Sequence, residues 1–201
     1  LGLFVALFAW IALSLTNAVA GVIATLGGRP AFDRDAAQAA IEAAGVRFAL
    51  LMPTYNEHPT RVFSGLQATY ESIASAGVLD RFDFFVLSDT TDADTWIAEE
   101  AAFLSLRARL GAERRLFYRR RARNIDRKAG NIADWVQRFG GGYEGMLILD
   151  ADSLLTGDCA LALAARLHGD ARLGIVQSLP AIVGGRTLFA RLQQFAGRLY
   201  G

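Results

Sequence analysis

No charged side chain occurs before Arg29; across the first 28 residues only Ser14, Thr16, Asn17 and Thr25 are polar. A stretch this long and uncharged is a poor surface for a water-soluble domain. About 20 apolar residues, each rising about 1.5 Å, cross a bilayer core of about 30 Å, so the length suffices with some tilt. A signal peptide would show a shorter apolar region behind a basic start, and neither feature is present; a buried core helix is the other competitor. Residues 1–28 are therefore expected to form a transmembrane helix. Arg29 and Arg34 follow at once, and the positive-inside rule then puts the polar remainder in the cytoplasm.

The rest of the 201-residue chain has the composition of one packed domain, since 53% of all residues are hydrophobic and the net charge is only +1. That balance excludes a disordered tail and a globally basic nucleic-acid binder. Cys159 is the single cysteine, which rules out an intrachain disulfide scaffold, and His58 and His168 make no metal cluster by themselves. The chain opens without Met and stops at Gly201 within a helical phrase, so it is expected to be a piece of a longer protein.

After an Ala-rich linker with a short helix at 29–46, apolar runs alternate with amphipathic stretches. Strands are expected at 46–52, 83–87, 116–118, 146–149 and 174–177, and helices at 59–76, 94–110, 127–139 and 156–168. This alternation predicts an α/β, Rossmann-like fold: a mostly parallel sheet with helices on both faces. No GxxxxGK[ST] phosphate loop is present, which argues against a P-loop nucleotidase. Ligands of such sheets bind beyond the carboxyl ends of the strands, so the residues just after each apolar run carry the most weight.

Those residues are polar. Pro53-Thr54-Tyr55-Asn56-Glu57 follows the first run, Ser88-Asp89 the second, an arginine series the third and Asp150-Ala151-Asp152 the fourth. An Asp-x-Asp at a strand end can present two hard oxygen ligands to a divalent cation that also holds substrate phosphates. The same tripeptide pattern recurs at Asp33/Asp35 and Asp92/Asp94, where a linker position and a helix start favour capping. Asp89 is either a strand-end functional carboxylate or the N-cap of the following helix, and Glu57 either a site residue or a first-turn acid. Tyr55 suits stacking on a nucleobase or packing.

Residues 114–128 carry net +7, leaving −6 across the rest of the chain. Such a field attracts a nucleotide diphosphate, an anionic lipid surface or RNA, or is a solvated basic face. Lys128 stands out as the one lysine, a compact ammonium suited to a phosphate or a base edge. Phe117 and Tyr118 have the look of a nucleic-acid stacking platform, but their strand position favours core packing. Residues 186–200 place Leu188, Leu192, Phe195 and Leu199 on one helical face, which suits both closing the domain core and lying on a membrane.

Taken in order, Pro53-Thr54-Tyr55-Asn56-Glu57, Ser88-Asp89, Lys128-Ala129-Gly130-Asn131 and Asp150-Ala151-Asp152 resemble the donor-site motifs of processive family 2 glycosyltransferases, the group containing cellulose and hyaluronan synthases. The wider phrases at 65–72, 84–92 and 188–200 resemble, more narrowly, the branch that makes osmoregulated periplasmic glucans in Gram-negative bacteria. The resemblance runs from Arg47 to Gly201. It implies a GT-A fold over 47–201, incomplete at its C-terminus, and an inverting enzyme that uses UDP-glucose to extend a β-glucan. It further implies the bacterial inner membrane with the catalytic domain facing the cytoplasm, further membrane helices, a growing glucan as acceptor, and a periplasmic glucan-processing partner.

Residue by residue, the motif match implies that Tyr55, Glu57, Asp89 and Lys128 surround the uridine and its phosphates. Asp150 and Asp152 would hold the diphosphate end with Mg²⁺ or Mn²⁺, Asp150 touching the donor as well. The family's acceptor-side acid and its Gln-x-x-Arg-Trp-like motif are absent up to Gly201, so the general base is expected beyond it. Two other functions compete: a catalytically incomplete nucleotide-sugar-binding module or sensor, and a membrane-tethered binder of nucleic acid or anionic lipid built on 114–128. A sheet edged with carboxylates disfavours nucleic acid as a partner.

Overall fold

Burial on both faces explains why residues 48–52 of the first strand and 84–87 of the second read as unbroken apolar runs. In the computed structural model, which describes residues 2–26, 32–183 and 186–200, β1 (Phe48–Thr54), β2 (Phe82–Ser88), β3 (Leu116–Arg120) and β4 (Gly145–Ile148) form one sheet. Its order is β3-β2-β1-β4 and every pairing is parallel, with Leu51 level with Phe85 on one side and Ile148 on the other. All seven residues of β2 are buried.

The two-residue period sorts these side chains onto opposite faces. Phe48, Leu50, Met52, Phe82, Phe84 and Val86 share a cluster with Ile41 of α2 (Arg34–Ala44), Leu66 and Tyr70 of α3 (Pro59–Ser75), Leu106 of α4 (Ala93–Leu110) and Leu161 of α6 (Gly157–Gly169). Ala49, Leu51, Phe85 and Leu87 face the other way, onto Trp135 of α5 (Arg127–Phe139). Helices therefore cover both faces, four against one. The α/β class is as expected, and the four helical stretches fall within a residue or so of their expected limits.

Local chemistry sets the helix ends. Asp33 accepts from the Ala36 N–H at 3.0 Å and Asp92 from the Thr95 N–H at 2.8 Å, so both are N-caps. These are the first two Asp-x-Asp sites, and the capping expected of them is what is found. The Ala-rich segment after the apolar stretch becomes α2, which buries Ile41 completely.

The expected strand at 174–177 does not form. Only Ile175 and Val176 are apolar there, between Gly174 and Gln177, and Ile175 is 86% exposed. Two side chains bury too little area to hold a strand against the sheet.

The chain divides into two compact units, one of residues 33–176 and the other of residues 1–32 and 177–201. In the second unit, α1 (Gly2–Leu26) has exposed side chains, and its Gly2–Ile23 segment, with mean hydropathy 2.0, is long and apolar enough to cross a membrane. The amphipathic stretch forms α7 (Leu188–Tyr200), which touches α1. Leu188, Phe189 and Leu192 are exposed; Phe195 and Leu199 lie outside the described side chains.

Candidate functional site

The strand order reverses at β1. The chain steps outward from β1 to β2 to β3, then returns to place β4 on β1's other side. Loops leaving β1 and β4 consequently part company at their carboxyl ends and leave a crevice between them. Hydrogen bonds of the sheet continue past the strands and fix what stands there: the Asp89 N–H donates to Thr54 O at 2.9 Å, the Leu149 N–H to Leu51 O at 2.9 Å, and the Arg121 N–H to Ser88 O at 3.0 Å.

A cleft of about 570 Å³ occupies this crevice, and Tyr55, Glu57, Asp89, Lys128, Asp150 and Asp152 all line it. Every site residue expected from the sequence is thus on one wall or another of a single cavity. Pro53, Thr54, Asn124, Arg127 and Ala151 complete the lining. Thr54 Oγ1 and Asn124 Oδ1 are buried with no hydrogen-bond partner among the described residues, so the cleft wall carries unmet polar capacity.

The loops are locked by side chains. Asn56 adopts a left-handed φ of 53°, a conformation Asn tolerates, and its Oδ1 accepts from the N–H groups of Thr91 and Asp92 at 3.1 and 3.2 Å. Its own N–H donates to Thr90 Oγ1 at 3.0 Å, which ties the β1 loop to the β2 loop. On the far wall Asp126 and Arg127 also have positive φ, 54° and 50°, just where α5 begins. A Cβ on Gly130 would stand 2.2 Å from Ile125 O, so only glycine lets that loop lie against the helix. Asn131, fully buried, donates to Leu87 O at 2.9 Å and accepts from Arg119, which pins α5 to the end of β2. The Lys128-Ala129-Gly130-Asn131 phrase therefore divides its labour: Lys128 faces the cleft while Gly130 and Asn131 hold the turn beneath it.

Each carboxylate has its own electrostatic setting. Asp89 is buried and takes a two-pronged hydrogen bond from Arg121, at 2.7 and 2.8 Å. The same guanidinium donates to the carbonyls of Ile125 and Arg127 at 3.1 and 3.2 Å, and the Asp89 bond holds its proton more tightly than usual. Asp89 is not the helix cap, because Asp92 has that position, and Glu57 is not a first-turn acid, because α3 starts two residues later behind His58. Asp150 is hydrogen-bonded to Lys128, with both side chains about half exposed or more, and Asp152 lies 3.8 Å from Arg61.

The donor set fits a hard divalent cation of one kind. Among the described residues no three His, Cys, Asp or Glu side chains gather closely enough to surround a metal. Asp150 and Asp152 offer two exposed carboxylates, which is what Mg²⁺ or Mn²⁺ takes from a protein when phosphates and water fill the remaining positions.

The basic run does not form one patch. Arg115 pairs with Asp80, Arg119 with Asp134, Arg121 with Asp89, and Arg120 stacks over Trp96 at 4.4 Å. Phe117 stacks on Phe85 at 5.0 Å between ring centres, in the core packing that its strand position favoured. Sequence reasoning placed Asn56 and Asn131 within the motifs, and Arg121 within the basic run, without giving any of them a role in building the cleft. Nothing local shows that role, since their partners lie 32 to 44 residues away in three of the contacts that matter.

No family model matches the chain. Among curated proteins it is similar to the glucans biosynthesis glucosyltransferase H of Xanthomonas campestris pv. campestris (strain B100), 55% identical over 204 residues, and of Xylella fastidiosa (strain 9a5c), 52% identical over 200 residues. That of Rhodopseudomonas palustris (strain BisA53) is 52% identical over 201 residues. These alignments cover 99 to 100% of this chain but only 28 to 31% of each relative. Along its whole length, then, the chain is homologous to a segment, a little under a third, of the glucans biosynthesis glucosyltransferases H.

Proposed function

We propose that this chain is the donor-binding part of a membrane-bound, inverting glucosyltransferase that takes UDP-glucose and extends the β-glucan backbone of osmoregulated periplasmic glucans. The observation that carries the reading is the convergence of Tyr55, Glu57, Asp89, Lys128, Asp150 and Asp152, drawn from four separate loops, on one cleft at the sheet's switch point. The relatives' name supplies glucose and glucan; UDP and the inverting course rest on the motif resemblance, and the orientation on it and on the arginines after the apolar stretch.

In this reading Tyr55, 52% exposed at the cleft's rim, offers a ring face to the nucleobase, beside the Asp89–Arg121 pair. Lys128 and Arg127 stand in the first turn of α5, where the helix's free N–H groups add to their positive charge. Cleaving the sugar from its nucleotide develops negative charge on the departing diphosphate, and these fixed charges stabilise it in place. Asp150 and Asp152 would hold Mg²⁺ or Mn²⁺, which supplies further charge neutralisation to the diphosphate when bound. A hydroxyl of the growing glucan attacks the anomeric carbon from the face opposite the diphosphate, the new C–O bond forming as the bond to UDP breaks, and its proton passes to a base that is not assigned within this chain.

The apolar α1 anchors the unit in the bacterial inner membrane, and the arginines after it favour a cytoplasmic sheet domain. Calorimetric titration of UDP-glucose into the detergent-solubilised chain tests the reading. Binding should require Mg²⁺ or Mn²⁺, vanish with EDTA, and fall at least about tenfold in Asp152→Asn. Metal-independent binding that ignores Asp152 would reject it.

A further inference from the structure

Glu99 lies on α4, outside the cleft lining, is fully buried, and makes no ion pair among the described residues. Three hydroxyls supply what a cation would. Ser88 Oγ donates at 2.6 Å, Thr90 Oγ1 at 2.9 Å and Tyr118 OH at 3.1 Å. Burial pushes the Tyr118 phenol far up, so that hydroxyl keeps its proton and remains a donor.

The direction of these bonds matters more than their number. Each hydroxyl gives its proton to Glu99 and turns its lone pairs away. Ser88 Oγ then accepts from the Thr90 N–H at 3.2 Å, and Thr90 Oγ1 accepts from the Asn56 N–H at 3.0 Å. Asp89 sits between the two hydroxyl residues. With both neighbours drawn toward α4, its own side chain is delivered to the cleft and to Arg121. Through Thr90 the same carboxylate reaches Asn56, held at a left-handed φ between Tyr55 and Glu57.

We infer that Glu99 is a positioning residue of the donor cleft, which through Ser88 and Thr90 fixes the two loops that present Tyr55, Glu57 and Asp89. This rests on the donor-site reading above. The neutral amide of Glu99→Gln tests it well, because its NH₂ end must itself donate, so the hydroxyl it meets can no longer give its proton to residue 99. One donated bond of the relay is then lost.

The test is UDP-glucose titration, with Mg²⁺, of the detergent-solubilised full chain, run beside thermal unfolding. Glu99→Gln should raise the Kd about tenfold, the loss expected for one broken buried hydrogen bond in the relay. Thr90→Val, which removes the link to Asn56, should match it, and Thr90→Ser should restore near-normal binding. Because both substitutions cut one relay, Glu99→Gln with Thr90→Val should bind little worse than either alone; losses that multiply to about a hundredfold overturn the relay. Unchanged Kd values with only a lowered unfolding midpoint make Glu99 a stability residue and overturn the inference. If Glu99→Gln fails to fold, Thr90→Val against Thr90→Ser decides it. A wild-type chain that takes no UDP-glucose removes the donor-site reading and this inference together, whereas wild-type binding with indifferent variants removes this inference alone.

Discussion

Asp89 and Asp152 stand at carboxyl ends of the same sheet with the same charge, and the protein treats them oppositely. Asp89 is 4% exposed and clamped by Arg121, while the Asp152 side chain is 62% exposed with one loose cation nearby. Arg121→Ala leaves a buried carboxylate unpaired and should cost about 3–5 kcal/mol in chemical denaturation, whereas Asp152→Asn should leave the unfolding midpoint almost unmoved. Arg121→Lys keeps the charge but loses the fork, and should fall between them.

A second carboxylate makes a pH prediction. Hydrogen bonds from Thr95 hold the Asp92 carboxyl below the usual range. Its folded-state value being depressed, the cap stabilises α4 fully above the ordinary carboxylate range and loses that contribution as pH falls through the lowered value. Amide exchange at Thr95 and Trp96 should therefore quicken on acidification from about pH 6 to about pH 3, after correction for intrinsic rates, and Asp92→Asn, which still caps, should remove that pH dependence.

Such residues show what a sequence does and does not reveal. Asp33 and Asp92 read as caps because a cap is a local device, settled within three residues. Asp89 was legible as a strand-end carboxylate, but its partner was one of many arginines, and only the β2–β3 pairing selects Arg121. Glu99 gave no sign at all, sitting in a helix among other acids while its three donors come from two strands and a loop.

At the scale of elements, packing distance decides. A Cβ on Gly157, at the start of α6, would lie 2.4 Å from Ser72 O and 2.6 Å from the Ala76 Cβ, so α6 can approach the end of α3 only with glycine there. Gly157→Ala should destabilise the domain by about 1–3 kcal/mol, read by urea unfolding, without altering the cleft. Gly130→Ala should do the reverse in emphasis. Its Cβ displaces residues 125–127, moving Arg127 and Lys128, so UDP-glucose affinity should fall by more than the shift in the unfolding midpoint accounts for. The helices were readable because each has enough residues to show its period. The 174–177 run was not, since two apolar residues carry no period to distinguish a strand from an unpaired link.

For the whole molecule the apolar N-terminal helix carries a prediction of its own, because it is long and apolar enough to cross a membrane. The expressed chain should sediment with membranes and resist alkaline carbonate extraction. Leu7→Arg combined with Leu13→Arg should shift it toward the supernatant, as each arginine costs about 2.5–3.5 kcal/mol near a span's centre. Sedimentation unchanged by both substitutions would mean that another part of the chain holds it there.

The sheet order has one more consequence, in the time domain of synthesis. β1 is made first of the four strands, yet it ends up between β2 and β4, the last of them. At about 5–20 residues per second, roughly 100 residues separate its emergence from that of its second neighbour, a wait of about 5–20 s. Throughout that interval one edge of a strand that is apolar up to Thr54 has no mate. The nascent polypeptide thus carries an unmated apolar strand edge while it is still on the ribosome, and shielding 48–54 during those seconds should raise the fraction that folds.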